Sequence, residues 1–84
     1  MSLMKRYVED SDLVRELARE AAQFLRATDR MRALDRAFTA CGEAAGKYAD
    51  PEAVLKRLVR EAVFEYGTVR GQHRNAARMP EPVL

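Results

Sequence analysis

His73 and Cys41 are the only imidazole and the only thiol in this chain. A zinc centre takes about four nitrogen, sulfur or carboxylate ligands, and a carboxylate-bridged di-iron bundle takes Glu-x-x-His motifs. Neither set is present, so no metal and no cofactor is expected. Cys41 lies on an apolar helical stripe with no histidine placed to draw off its proton, and it reads as a small buried residue. Two acid pairs at i,i+4 spacing remain, Glu16 with Glu20 and Glu61 with Glu65. Brought together from two helices, four carboxylates would bind a cation or shift one another's pKa. The plainer reading, solvated glutamates pairing with neighbours such as Arg57 with Glu61, is preferred. The chain has no glycine-rich phosphate loop, no nucleophile elbow and no HExxH motif, so an enzyme is not expected.

Elements that would position these groups follow from composition. The chain has 84 residues, enough for one small domain. It carries 14 alanines, 12 arginines, eight leucines and eight glutamates and no isoleucine, which favours helices over sheets. With so few large apolar residues the core must be small, and a partner would help it. A single cysteine allows no internal disulfide to staple that core, which again points to oligomerisation and to a reducing cytoplasm. The longest stretch free of charge, Ala37 to Gly42, is six residues, far short of the roughly 20 needed to cross a membrane. After Lys5 and Arg6 no apolar run of secretory type follows, so a cytoplasmic location is expected. Twelve arginines against three lysines fit a GC-rich bacterial genome. Met1-Ser2-Leu3, ahead of Met4, reads as a vector-derived extension within a lead-in of residues 1–11.

Periodicity predicts three helices. The first spans residues 12–27, capped by Asp10 or Ser11, with Leu13, Val14, Leu17, Ala18, Ala21, Phe24 and Leu25 on one face. The second spans residues 29–48, capped by Thr28 unless it continues the first as one rod. It carries a stripe of large residues (Met31, Leu34, Phe38, then Cys41 and Ala45) beside a small-residue stripe of Ala33, Ala37, Ala40 and Ala44. Asp50-Pro51-Glu52 is a strong helix start: capping aspartate, proline at the first position, acid in the first turn. The third helix then places Val54, Leu55, Leu58, Val59, Ala62, Val63 and Tyr66 on a wide apolar arc and is expected to end at Gly67. Residues 68–84 lack apolar periodicity and read as a flexible basic tail, which holds the whole net charge of +2.

The fold expected is therefore all-α, a three-helix antiparallel bundle over residues 12–67, completed by homodimerisation. Phe64 stands outside the apolar arc, between Arg57 and Arg60. It is either covered by the chain end at Val83 or Leu84 or used at an interface. The function expected is a small protein–protein interaction module, as subunit, adaptor or chaperone-like protein. Its partner, a second copy or another protein, would be held by Val54, Arg57, Leu58, Phe64 and Tyr66. The alternative is a nucleic-acid-binding regulator. Gly42 through Gly46 to Arg60 weakly resembles a helix-turn-helix, and Lys56, Arg57, Arg60, Arg70, His73, Arg74 and Arg78 would meet phosphates or an acidic partner.

Overall fold

The protein is described by a computed structural model that covers the backbone of residues 3–78 and the side chains of residues 5–72. Helix α1 is Leu3–Gln23, α2 is Ala27–Ala45 and α3 is Pro51–Arg78. Each helix packs on the other two. Tyr7 and Ser11 near the start of α1 reach Glu61, while Ala22 near its end meets Arg70, so α1 and α3 run in the same direction. Asp10 near the start of α1 meets Tyr48 just past the end of α2, so α2 runs antiparallel to both. This is an up-down-up bundle with short connections at residues 24–26 and 46–50.

Both helix junctions are set by local chemistry. Arg30 Nη1 donates to the Phe24 carbonyl at 3.1 Å and to that of Leu25 at 2.6 Å, satisfying carbonyls left open where α1 ends. The first two helices are thus separate, and α2 starts at Ala27 with Arg26 in extended conformation and no side-chain cap. Thr28, expected to cap, lies inside the helix. At the second junction Asp50 does cap α3: its Oδ1 accepts the Ala53 N–H at 3.2 Å. Helix α2 stops at Ala45, and residues 46–48 continue only as tighter turns, with Lys47 N–H on Ala44 and Tyr48 N–H on Ala45.

Helix α1 stops at Gln23 and not at residue 27, and two other expected ends move further. Helix α1 begins at Leu3 and not at residue 12, because Asp10 and Ser11 spend their side chains on Tyr48 of the α2–α3 connection and Glu61 of α3 and not on the α1 backbone. Helix α3 passes through Gly67, which keeps an ordinary negative φ, and so residues 68–78 are helical where an irregular tail was expected. What holds the extra turns is Val69, buried against the bundle, and Arg70, whose Nη1 donates to the Ala22 carbonyl at 3.2 Å. Residues 1–2 and 79–84, including the expected cover from Val83 and Leu84, lie outside the described residues. Since a Cβ at Gly67 would meet nothing within 4 Å, Gly67→Ala should stabilise the fold by about 0.5–1 kcal/mol through the unfolded chain's lost freedom. A higher urea midpoint checks it; an unchanged or lower one would show that α3 is not helical at Gly67 in solution.

The core is small in both extent and side-chain size. Val14, Ala18, Cys41, Ala44, Leu58 and Ala62 form its centre, with Tyr7, Ala40, Val54, Val59 and Tyr66 packed around it. On α2 the small-residue stripe faces inward, whereas Met31 is 68 % and Phe38 38 % exposed. Both stripes were expected to pack, and of the large-residue one Cys41 and Ala45 are buried while Met31 and Phe38 are not. Alanines win because they let neighbouring backbones approach closely, and the larger side chains are displaced to the margin.

Candidate functional site

Helix α3 carries more apolar surface than α1 and α2 can cover. Leu58, Ala62 and Val69 fill its inward face. The next positions outward, Leu55, Val59 and Val63, run at i, i+4, i+8 along the flank, and Phe64 adjoins them. Val59 is half-buried, but Leu55 is 37 %, Val63 51 % and Phe64 75 % exposed. These four line a shallow groove whose polar edge is Lys56 and Arg60. Such a combination, an exposed aromatic and aliphatic strip with cations on its rim, has the composition of a recognition surface.

The expected partner-binding residues divide between this groove and the core. Phe64 is in the groove. Leu58 is fully buried and belongs to the core, not to a docking surface, a correction that follows from its position at the middle of the inward arc. Val54 and Tyr66 are half-buried and pack against the core cluster. Arg57 sits with its guanidinium carbon 5.2 Å from the centre of the Tyr7 ring, a cation–π contact that ties α3 to α1. Leu55, Val59 and Val63 were missed as a site, although they follow one another at helical spacing directly beside Lys56 and Arg60.

Among the described residues, Lys56, Arg57 and Arg70 of the cations expected to contact phosphate have partners within the fold. Lys56 Nζ lies 3.6 Å from Glu52 Oε1, and Arg70 bonds the end of α1. Arg60 is exposed on the groove edge and makes no ion pair among the described residues. The side chains of His73, Arg74 and Arg78 lie outside the described residues.

A second cluster joins α1, α3 and the connection between α2 and α3. Glu61 accepts from Tyr7 Oη at 2.5 Å and from Ser11 Oγ at 2.7 Å, and Asp10 Oδ2 accepts from Tyr48 Oη at 2.7 Å. The two tyrosine rings meet edge to face at 6.4 Å, and Lys47 Nζ stands 3.8 Å from Asp10 Oδ1. Burial, and then the Asp10 carboxylate, push the Tyr48 hydroxyl up to about 12; burial, and then Glu61, raise that of Tyr7. Both hydroxyls therefore stay protonated donors, and the cluster is a structural clasp. Sequence periodicity cannot show it, since its partners are 37 to 54 residues apart.

Chemistry by the acid pairs is not supported by their geometry. Glu61 is held by Tyr7 and Ser11, Glu65 Oε2 is 3.4 Å from Arg19 Nε, and Glu16 and Glu20 point away on the outer side of α1. No group of three or more histidine, cysteine or acidic side chains suited to a metal ion occurs among the described residues. Cys41 is fully buried, and burial raises its thiol above the usual range, which disfavours a nucleophilic thiolate. Among the described residues no helix is long and apolar enough to cross a membrane. Comparison with protein-family models, curated proteins and solved structures yields no match to this chain.

Proposed function

We propose that this chain is a protein–protein interaction module with no catalysis of its own, and that it docks its partner on the outer flank of α3. The observation that carries the reading is the exposure of Phe64 beside Leu55, Val59 and Val63, with Lys56 and Arg60 on the rim. An aromatic anchor beside aliphatic neighbours supplies affinity, and the cations select the sign of the partner's charge. The occupant that fits is an amphipathic helix whose apolar stripe is bordered by carboxylates. The proposed role is that of a subunit or adaptor in a larger assembly.

Fluorescence anisotropy with a set of labelled synthetic helices, leucine-faced and flanked by either glutamate or lysine, tests this. Saturable binding of the glutamate set is expected, weakened about tenfold or more by Phe64→Asp, with helicity by circular dichroism unchanged. Absence of binding to the acidic helices, or binding indifferent to Phe64→Asp, would overturn the reading. Capture of a DNA duplex that falls steeply with salt would put nucleic-acid recognition in its place.

A further inference from the structure

Resting on the reading of α3 as a docking flank, we infer that its occupant is a second copy of this chain, which presents the outer face of α1. That face has the required chemistry. At about 100° per residue Glu9, Glu16 and Glu20 fall within an arc of roughly 40°, directly beside Leu13 and then Leu17. All three glutamates are exposed and make no ion pair among the described residues, and Leu13 is 49 % exposed. Arg15 and Arg19 lie on the side of α1 toward α3 of the same chain, where Arg19 meets Glu65, and the other two cations of α1, Lys5 and Arg6, precede Glu16 and Glu20 by two turns or more. One helix thus offers leucine bordered by carboxylates, and another offers Leu55, Val59, Val63 and Phe64 bordered by Lys56 and Arg60.

Spacing agrees as well as sign. Glu16 and Glu20 are four residues apart, as are Lys56 and Arg60, and each pair therefore spans about 6 Å along its helix axis. Laid antiparallel, α1 of one copy sets Glu16 opposite Arg60 and Glu20 opposite Lys56 of the other, which brings Leu17 to Val59 and carries Leu13 past Arg60 to Val63, next to Phe64. The Lys56 to Glu52 pair gives way at little cost, since both groups are largely in water. Pairing of α3 with α3 is disfavoured, because it would set these cations against their own copies. The contact is made twice, as an isologous dimer, when two copies exchange α1 and α3 about a two-fold axis; made once per pair it is heterologous and closes as a ring.

Paired charge reversals test the assignment by sedimentation velocity at low salt. Wild type is expected to associate. Glu16→Arg with Glu20→Arg in one variant, and Lys56→Glu with Arg60→Glu in another, should each weaken association about tenfold or more. An equimolar mixture of the two should recover it, because each reversed face then meets its complement. Circular dichroism confirms that both variants fold, as all four positions are exposed. A wild type that is monomeric throughout, a mixture that stays monomeric, or association indifferent to both reversals would overturn the proposal. A monomeric wild type that still binds acidic helices through Phe64 would remove the second copy and leave the docking flank standing; failure of that peptide binding as well would remove both.

Discussion

Leu58→Ala should destabilise the fold by about 3 kcal/mol, within the 2–5 kcal/mol range for truncating a buried leucine. Leu58 is fully buried and is the largest side chain in the core with that distinction. Half of the cluster that α1 and α2 pack around it is alanine, Ala18, Ala40 and Ala44, so few side chains can turn to fill the space it would vacate. Small domains hold roughly 5–15 kcal/mol in all, so the variant should melt much earlier and lie close to partial unfolding at ambient temperature. Leu55, three residues before it, is 37 % exposed, and Leu55→Ala should cost under about 1 kcal/mol. Urea midpoints for the two variants give the comparison directly. Equal losses would mean that α3 is rotated relative to the bundle described here.

Glu61→Ala is the second large expected loss, about 2 kcal/mol, because it strips the acceptor from two hydroxyls that α1 directs at α3. The value is kept below the sum for two charged hydrogen bonds because Glu61 is half-buried and water replaces part of what is lost. Glu61→Gln retains an acceptor oxygen of similar shape and should cost about 1 kcal/mol. An independent readout is the titration of Tyr7. Burial is the main reason its hydroxyl ionises above the usual value, and Glu61 is the next. Removing the carboxylate should therefore bring Tyr7 ionisation down toward ordinary tyrosine while Tyr48 stays high. No change in tyrosinate absorbance against pH would show that the clasp between α1 and α3 is not formed in solution.

How far these features were legible in the sequence depended on the distance over which they act. The α3 start was plain, because Asp50, Pro51 and Glu52 act within one turn. Three helices and the apolar arc of α3 were likewise legible, since periodicity of 3.6 residues is a local property. The beginning of α1 was not, for Asp10 and Ser11 resemble caps in isolation, and only Tyr48 in the α2–α3 connection and Glu61 on α3 redirect their side chains. Gly67 misled for the same reason: a glycine permits a helix end but does not impose one, and Val69 and Arg70 find contacts that favour continuing. On α2 the sequence offered two adjacent stripes and no local rule for choosing between them. The choice belongs to packing, where closely approaching backbones favour alanine over Met31 and Phe38. For the site, the sequence pointed to Phe64 and its cationic neighbours, but it placed Leu58 at the surface because an arc near 180° does not say which of its edges is covered.

The alanine lining of the α1 and α2 faces has a thermodynamic consequence. Ala18, Ala21, Ala22, Ala33, Ala37, Ala44 and Ala45 are all at most 4 % exposed, yet each uncovers only a methyl group when the chain unfolds. The heat-capacity increment of unfolding comes from newly wetted apolar area, and here it must be small for a chain of this length. With a small increment the free-energy curve bends little with temperature, so stability is modest at its maximum but declines slowly on either side. The unfolding enthalpy of so slight a core is also low, and calorimetry should therefore trace a broad, shallow endotherm for the isolated subunit that sharpens as apolar flanks are covered by association.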